Sequence, residues 1–110
     1  MPKYVFIANY SVEAIKGMVA APQDRKAAIG DLLSAAGMSM KDCLFSPAGA
    51  KVVLIAEGPS EAKDALVMMI MASGSFDLAS EVIEVLDSEE FMDCMKRAGE
   101  LVSAYRAAGQ

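Results

Sequence analysis

Lys51–Glu57 reads KVVLIAE and is the strongest strand signal in the chain. Val52, Val53, Leu54, Ile55 and Ala56 run unbroken, so apolar side chains point to both sides of the strand. A strand with one wet face alternates apolar with polar residues. An unbroken run predicts cover on both faces. Gly58-Pro59 ends the segment, and Ser60 caps a helix predicted from about Glu61 to Ser73 and closed by Gly74.

Working towards the start, Pro47-Ala48-Gly49 is a turn, and Met38 to Ser46 is a weaker strand before it. Lys3 to Tyr10 (KYVFIANY) repeats the two-sided pattern, with Tyr4, Phe6 and Ala8 on one face and Val5 and Ile7 on the other. Ser11 offers an N-cap to a helical region reaching Ala36, broken or kinked near Ala21-Pro22 and stopped at Gly37. Towards the end, Phe76 to Leu86 predicts a fourth strand with Val82, Ile83, Val85 and Leu86 on both sides. Asp87-Ser88-Glu89-Glu90 has capping-box spacing. A last helix is predicted to about Ala107, with Phe91, Met95, Ala98, Val102 and Tyr105 on one face.

The order β-α-β-β-α-β-α predicts an α+β chain: a ferredoxin-like βαββαβ domain over residues 1–110 with an added C-terminal helix. In that architecture both helices cover one face of a four-stranded antiparallel sheet and leave the other bare. These strands are apolar on both sides, and a large bare apolar face is unusual for a monomer. The last helix can cover part of it. A second copy is the better lid, which predicts a homodimer or higher oligomer with sheets paired face to face.

Composition agrees. The 110 residues are 55% hydrophobic before the 8 glycines are counted, where an ordinary soluble domain reaches about 45–50% with glycine included. A net charge of −5 argues against nucleic acid, whose phosphates need a basic face. With no histidine, Cys/His zinc sites, proximal-His haem ligation and histidine-dependent triads are excluded. No metal or other cofactor is expected. MPKYVFIANY does not read as a signal peptide, and Ala65 to Ala72, the longest apolar run, is far short of the roughly 20 residues a membrane span requires. The expected setting is cytoplasmic, without membrane contact.

The opening YVFIANYS with its following helix, the Gly37 break, the strand running into Glu57-Gly58-Pro59-Ser60-Glu61, the apolar helix closing at a glycine, and Ser88-Glu89-Glu90-Phe91 together resemble the GYD-domain family of small bacterial proteins. The likeness covers about Pro2 to Phe91. The family's Gly-Tyr-Asp segment should fall just before the strong strand. Here it reads Ala48-Gly49-Ala50-Lys51, so no role of that motif is carried over. The resemblance implies a ferredoxin-like fold of the dimeric α/β-barrel kind and no established reaction. Relatives by architecture include cofactor-free monooxygenases, stress-response dimers and small-ligand binders, which sets only a weak expectation.

Six residues are candidates for ligand contact: Tyr4, Phe6, Tyr10, Lys51, Glu57 and Met68. Tyr4, Phe6 and Tyr10 share a strand face and either line a cavity or pack under the helices. Lys51 and Glu57 are six apart, hence on one face, where they act as anion anchor and general base or simply meet water. Nine methionines, among them Met38, Met40, Met68, Met69 and Met71, suit either an adaptable apolar cleft or core filling. Cys43 has Lys41 as its near cation on the expected same face, and Cys94 sits among acids. Buried packing is the plainer reading for both thiols.

Three function classes follow. The first is a homo-oligomeric protein binding a small apolar ligand in a cleft beside the sheet. The second is a cofactor-independent oxygenase or isomerase of the dimeric α/β-barrel type, resting on tyrosine, Asn9, Lys51 or Glu57. The third is a partner-binding module using a sheet edge or the Met-rich helix. No catalytic constellation is visible, so a non-enzymatic role is the first expectation.

Overall fold

A computed structural model describes residues 1–77 and 80–109. Its elements are β1 (Lys3–Asn9), α1 (Val12–Ala20), α2 (Arg25–Ala36), β2 (Ser39–Ser46), β3 (Lys51–Glu57), α3 (Ser60–Ala72), β4 (Glu81–Val85) and α4 (Ser88–Leu101), followed by a 3-10 turn at Val102–Ala104. The strands form one sheet in the order β2-β3-β1-β4, with every neighbouring pair antiparallel. This is the ferredoxin-like arrangement, and the two strands with unbroken apolar runs occupy its centre.

Register explains why those two runs are central. Val5 lies opposite Ile55 and Ile7 opposite Val53, while Tyr4 faces Ala56, Phe6 faces Leu54 and Ala8 faces Val52. The second set is buried under α2 and α3, where Leu33 and Leu66 complete the core. The first set looks outward and is only half-buried, with Leu44 and Ile83 exposed at its sides. One chain therefore covers one face of its sheet.

The break near Ala21-Pro22 separates α1 from α2 as expected. Ser11 caps α1 by accepting from the Ala14 N–H, and Asp24 caps α2 by accepting from the Ala27 N–H. Gly37 ends α2 with φ +83°, a left-handed conformation that costs glycine little.

Two boundaries differ from the sequence reading. The fourth strand begins at Glu81, not Phe76. Phe76 makes a single bridge to Tyr10, two residues out of register with the β1–β4 ladder, so one continuous strand cannot contain both pairings. The Leu78-Ala79 part of that expected strand lies outside the described residues. The last helix stops at Leu101 and tightens into a 3-10 turn, short of Ala107. Its last turn has no basic residue to complement the dipole and no neighbouring element to pack against.

The start of α4 is well fastened. The Asp87 carboxylate accepts from the Glu90 N–H at 2.8 Å, and the Glu90 carboxylate accepts from the Asp87 N–H at 3.0 Å. Lys3 lies 3.6 Å from the first carboxylate and 3.5 Å from the second. The Glu90 N–H bond, with help from Lys3, holds the Asp87 carboxyl below its ordinary range. Beyond this first turn the helix stands away from the sheet, and every residue from Ser88 to Leu101 is exposed. It covers none of the bare face. The radius of gyration is accordingly 17.9 Å, against about 13 Å for a compact chain of this length.

The β2–β3 turn holds a local conflict. Ala50 has φ +52°, in the left-handed region, while its carbonyl accepts from the Tyr10 N–H at 2.8 Å. An Ala50→Gly variant should relieve the Cβ clash, about 1–2 kcal/mol, against a smaller loss through unfolded-chain freedom. Thermal unfolding should show a melting temperature raised by a few degrees. A decrease would mean that the methyl group packs usefully where it stands.

Candidate functional site

An apolar opening lies between the sheet and its helices. Phe6 and Ala8 of β1 with Val52 and Leu54 of β3 form its floor, and Ile29 and Leu33 of α2 with Val67 and Ile70 of α3 form its roof. It encloses about 80 Å³. Three polar residues reach its wall: Arg25, Ser80 and Glu81. A dry apolar cavity of about 150 Å³ takes up benzene, so this smaller one suits a short aliphatic chain.

A second cleft, of about 210 Å³, runs between α1 and the start of α2. It is bounded by Tyr10, Ala14, Gly17, Met18, Gln23, Arg25 and Ser75. Arg25 lines both openings. Two buried polar atoms lack a hydrogen-bond partner among the described residues, the Tyr10 hydroxyl and Arg25 Nε. Both residues line this cleft. Leaving such a donor dry costs about 1–3 kcal/mol, more when it is charged. The Arg25 guanidinium does donate to the Gln23 side-chain oxygen at 2.8 Å. No carboxylate among the described residues lies within 4.0 Å of it.

The six sequence candidates are distributed among different places. Phe6 lines the apolar cavity, whereas Tyr10 lines the cleft and stacks on Phe76 with ring centroids 4.7 Å apart. Tyr10 and Lys51 meet along a third, shallow groove of about 160 Å³. Tyr4 shares the strand face of Phe6 and Tyr10 but is enclosed in the core, edge-on to Phe6 and under the Lys63 ammonium at 5.1 Å. Lys51 and Glu57 share the outer sheet face at opposite ends of β3. Lys51 donates to the Asn9 side-chain oxygen at 2.8 Å, and Glu57 pairs with Lys41 at 3.2 Å. Met68 is 70% exposed on α3 and touches none of the three openings, whereas Met71 lines the apolar cavity.

The expected Lys41–Cys43 alignment fails because β2 carries a bulge between Met40 and Asp42. The extra residue breaks the two-residue alternation, so Lys41 turns to Glu57 while Cys43 turns into the core. Burial pushes the Cys43 thiol up, with Lys26 and Arg25 opposing the rise. It is an inert packing group. Cys94 is exposed on α4.

Sequence reasoning did not single out Arg25. One signal was present: Arg25 and Lys26 are the first residues of α2, at the positive end of its dipole, where cations are disfavoured. The partners that make the position unusual come from β1 and from the Ser75–Phe76 segment, distant in sequence.

An α+β sheet-and-helix domain with an apolar cavity under its helices is the class of protein that the geometry defines. Family comparison carries this further: the model of the GYD domain matches residues 4–95. The chain belongs to the GYD-domain family. No curated protein and no solved structure gives a match.

Proposed function

We propose that this protein is a homodimer that binds a small apolar molecule in the cavity between its sheet and its helices. The observation that carries the reading is the cavity itself, walled by Phe6, Val52, Leu54, Ile29 and Val67 and opening towards Arg25, Ser80 and Glu81. Native interiors are close-packed, and voids larger than a water molecule are few in a domain. A void with such walls stays dry and gains free energy when an apolar ligand replaces the missing contacts.

Assembly rests on two further surfaces. Val5, Ile7, Val53 and Ile55 form a half-buried apolar centre on the outer sheet face, and Phe91, Met92 and Met95 are exposed on α4. Fourteen residues make an isolated helix marginal in water. A second copy satisfies both surfaces by one operation, since in a two-fold dimer each chain offers the same patches to the other. The candidate general-base and anion-anchor pair, Glu57 and Lys51, stands on this outer face and away from the cavity.

The experiment is a titration of 15N-labelled protein with 1-pentanol. Amide shifts should concentrate at Phe6, Ile29, Val52 and Val67. Ala8 lines the cavity floor in an extended strand, so Ala8→Val fills the space with a residue the strand favours. It should weaken pentanol binding at least tenfold without loss of fold. Unchanged affinity in Ala8→Val, or shifts confined to the outer face, would overturn the proposal.

A further inference from the structure

We infer that the cleft between α1 and the start of α2 binds the carboxylate of a small monocarboxylic acid, whose apolar body enters the adjoining cavity. The inference rests on the apolar-cavity reading above and adds to it the chemistry of the ligand's head.

The argument begins with two donors that the fold buries and does not satisfy. Tyr10 is 7% exposed, and its hydroxyl lacks a partner among the described residues. Arg25 Nε is buried in the same condition. The two belong to different parts of the chain, one just after β1 and the other at the first position of α2, yet both line one cleft of about 210 Å³. Paired donors without an acceptor describe a site whose acceptor is an oxyanion.

The backbone reinforces this charge. Arg25 and Lys26 open a helix of 12 residues, so two cations sit at the positive end of its dipole. Local electrostatics disfavour that placement, and an anion there would relieve it. Asp24, the N-cap, answers part of this charge by accepting from the Ala27 N–H at 3.1 Å, but it is not within ion-pair distance of Arg25. Glu81, the carboxylate on the wall of the apolar cavity, is exposed and not within ion-pair distance of Arg25.

The remaining walls specify the rest of the ligand. Ala14, Gly17 and Met18 make the cleft partly apolar, and Arg25 is shared with the cavity floored by Phe6 and Val52. A ligand with its head at Tyr10 and Arg25 therefore has its tail directed to apolar walls. A planar carboxylate with two acceptor oxygens matches one N–H and one O–H, and a short alkyl chain matches a space of about 80 Å³. A phosphate would demand more donors and more compensating charge than this cleft offers.

The test compares pentanoate, 1-pentanol and inorganic phosphate by NMR titration of the full chain. Pentanoate should bind at least tenfold more tightly than 1-pentanol, and phosphate should not displace it at equal concentration. Arg25→Gln should abolish the preference for the acid, so that pentanoate and 1-pentanol bind this variant with equal affinity. Tyr10→Phe, which keeps the stacking on Phe76, should reduce the preference severalfold. Equal affinity of acid and alcohol, a preference unaffected by both variants, or efficient competition by phosphate would overturn this inference and leave the cavity reading standing. Failure of both pentanoate and pentanol to bind would remove the two together.

Discussion

If two copies pair face to face as proposed, Ile55→Lys is expected to leave a folded monomer. Ile55 sits at the middle of β3 on the outer face, opposite Val5 in the register, and neither helix layer covers it. In a single chain the substitution is mild, because a lysine there can extend its amine into water. Between two facing sheets the same ammonium would be buried with no partner, and each copy would bring one. A dissociation constant raised at least a hundredfold, about 2.8 kcal/mol, is the expected effect. Sedimentation at micromolar concentration reads it directly, with circular dichroism as the check that the monomer is folded. Glu61→Lys, on the exposed start of α3, should leave the dimer intact. A wild-type chain that sediments as a monomer, or a variant that still dimerises, would defeat face-to-face pairing.

The largest effect on stability is expected at Leu33. It is 0% exposed, the sole large side chain among the described residues to be wholly enclosed, and it forms part of the cavity roof. Leu33→Ala should therefore lose both the transfer free energy of the removed carbons and contacts that nearby side chains cannot recover. The expected cost is about 2–5 kcal/mol. Each kcal/mol moves the melting temperature of a domain this size by roughly 4 °C, so a fall of about 8–20 °C should follow. Val12→Ala, at an exposed position on α1, should remain within about 0.5 kcal/mol of the parent. A Leu33→Ala cost below 1 kcal/mol would mean that the helices settle onto the sheet and close the space, which would also weaken the case for a persistent cavity.

Much of the architecture could be read from local pattern. KVVLIAE and KYVFIANY announced the two central strands because their apolar runs leave no polar alternation, and the structure pairs them residue for residue. Ser11, Asp24, Gly37 and Asp87 marked helix ends through local hydrogen bonds and one left-handed conformation, all within a few residues of one another. The fourth strand was overread, since apolar residues continue through Phe76–Leu86 while the pairing register does not. Apolar pattern records which residues avoid water, not which neighbour they bond.

The candidate site was less legible. Phe6 and Tyr10 were found because aromatic residues on one strand face must point somewhere enclosed. Arg25 was missed because its interest lies in a missing partner, and a missing partner is a property of three-dimensional surroundings. The bulge at Met40–Asp42 inverted the expected facing of Lys41 for a similar reason. One extra residue changes the parity of a strand, and only cross-strand pairing reveals it.

What the residue order determined by itself is the α+β topology, the two-sided apolar strands and the likeness to the GYD-domain family, all carried by short-range periodicity and motif. What tertiary structure alone decided is which apolar face receives helices and which stays bare, where the core leaves a cavity, and that Tyr10 and Arg25 line one cleft. The division has a physical cause. Periodicity and capping depend on neighbours a few residues away, whereas burial, cavities and unsatisfied donors depend on elements brought together from β1, α2 and the segment before β4.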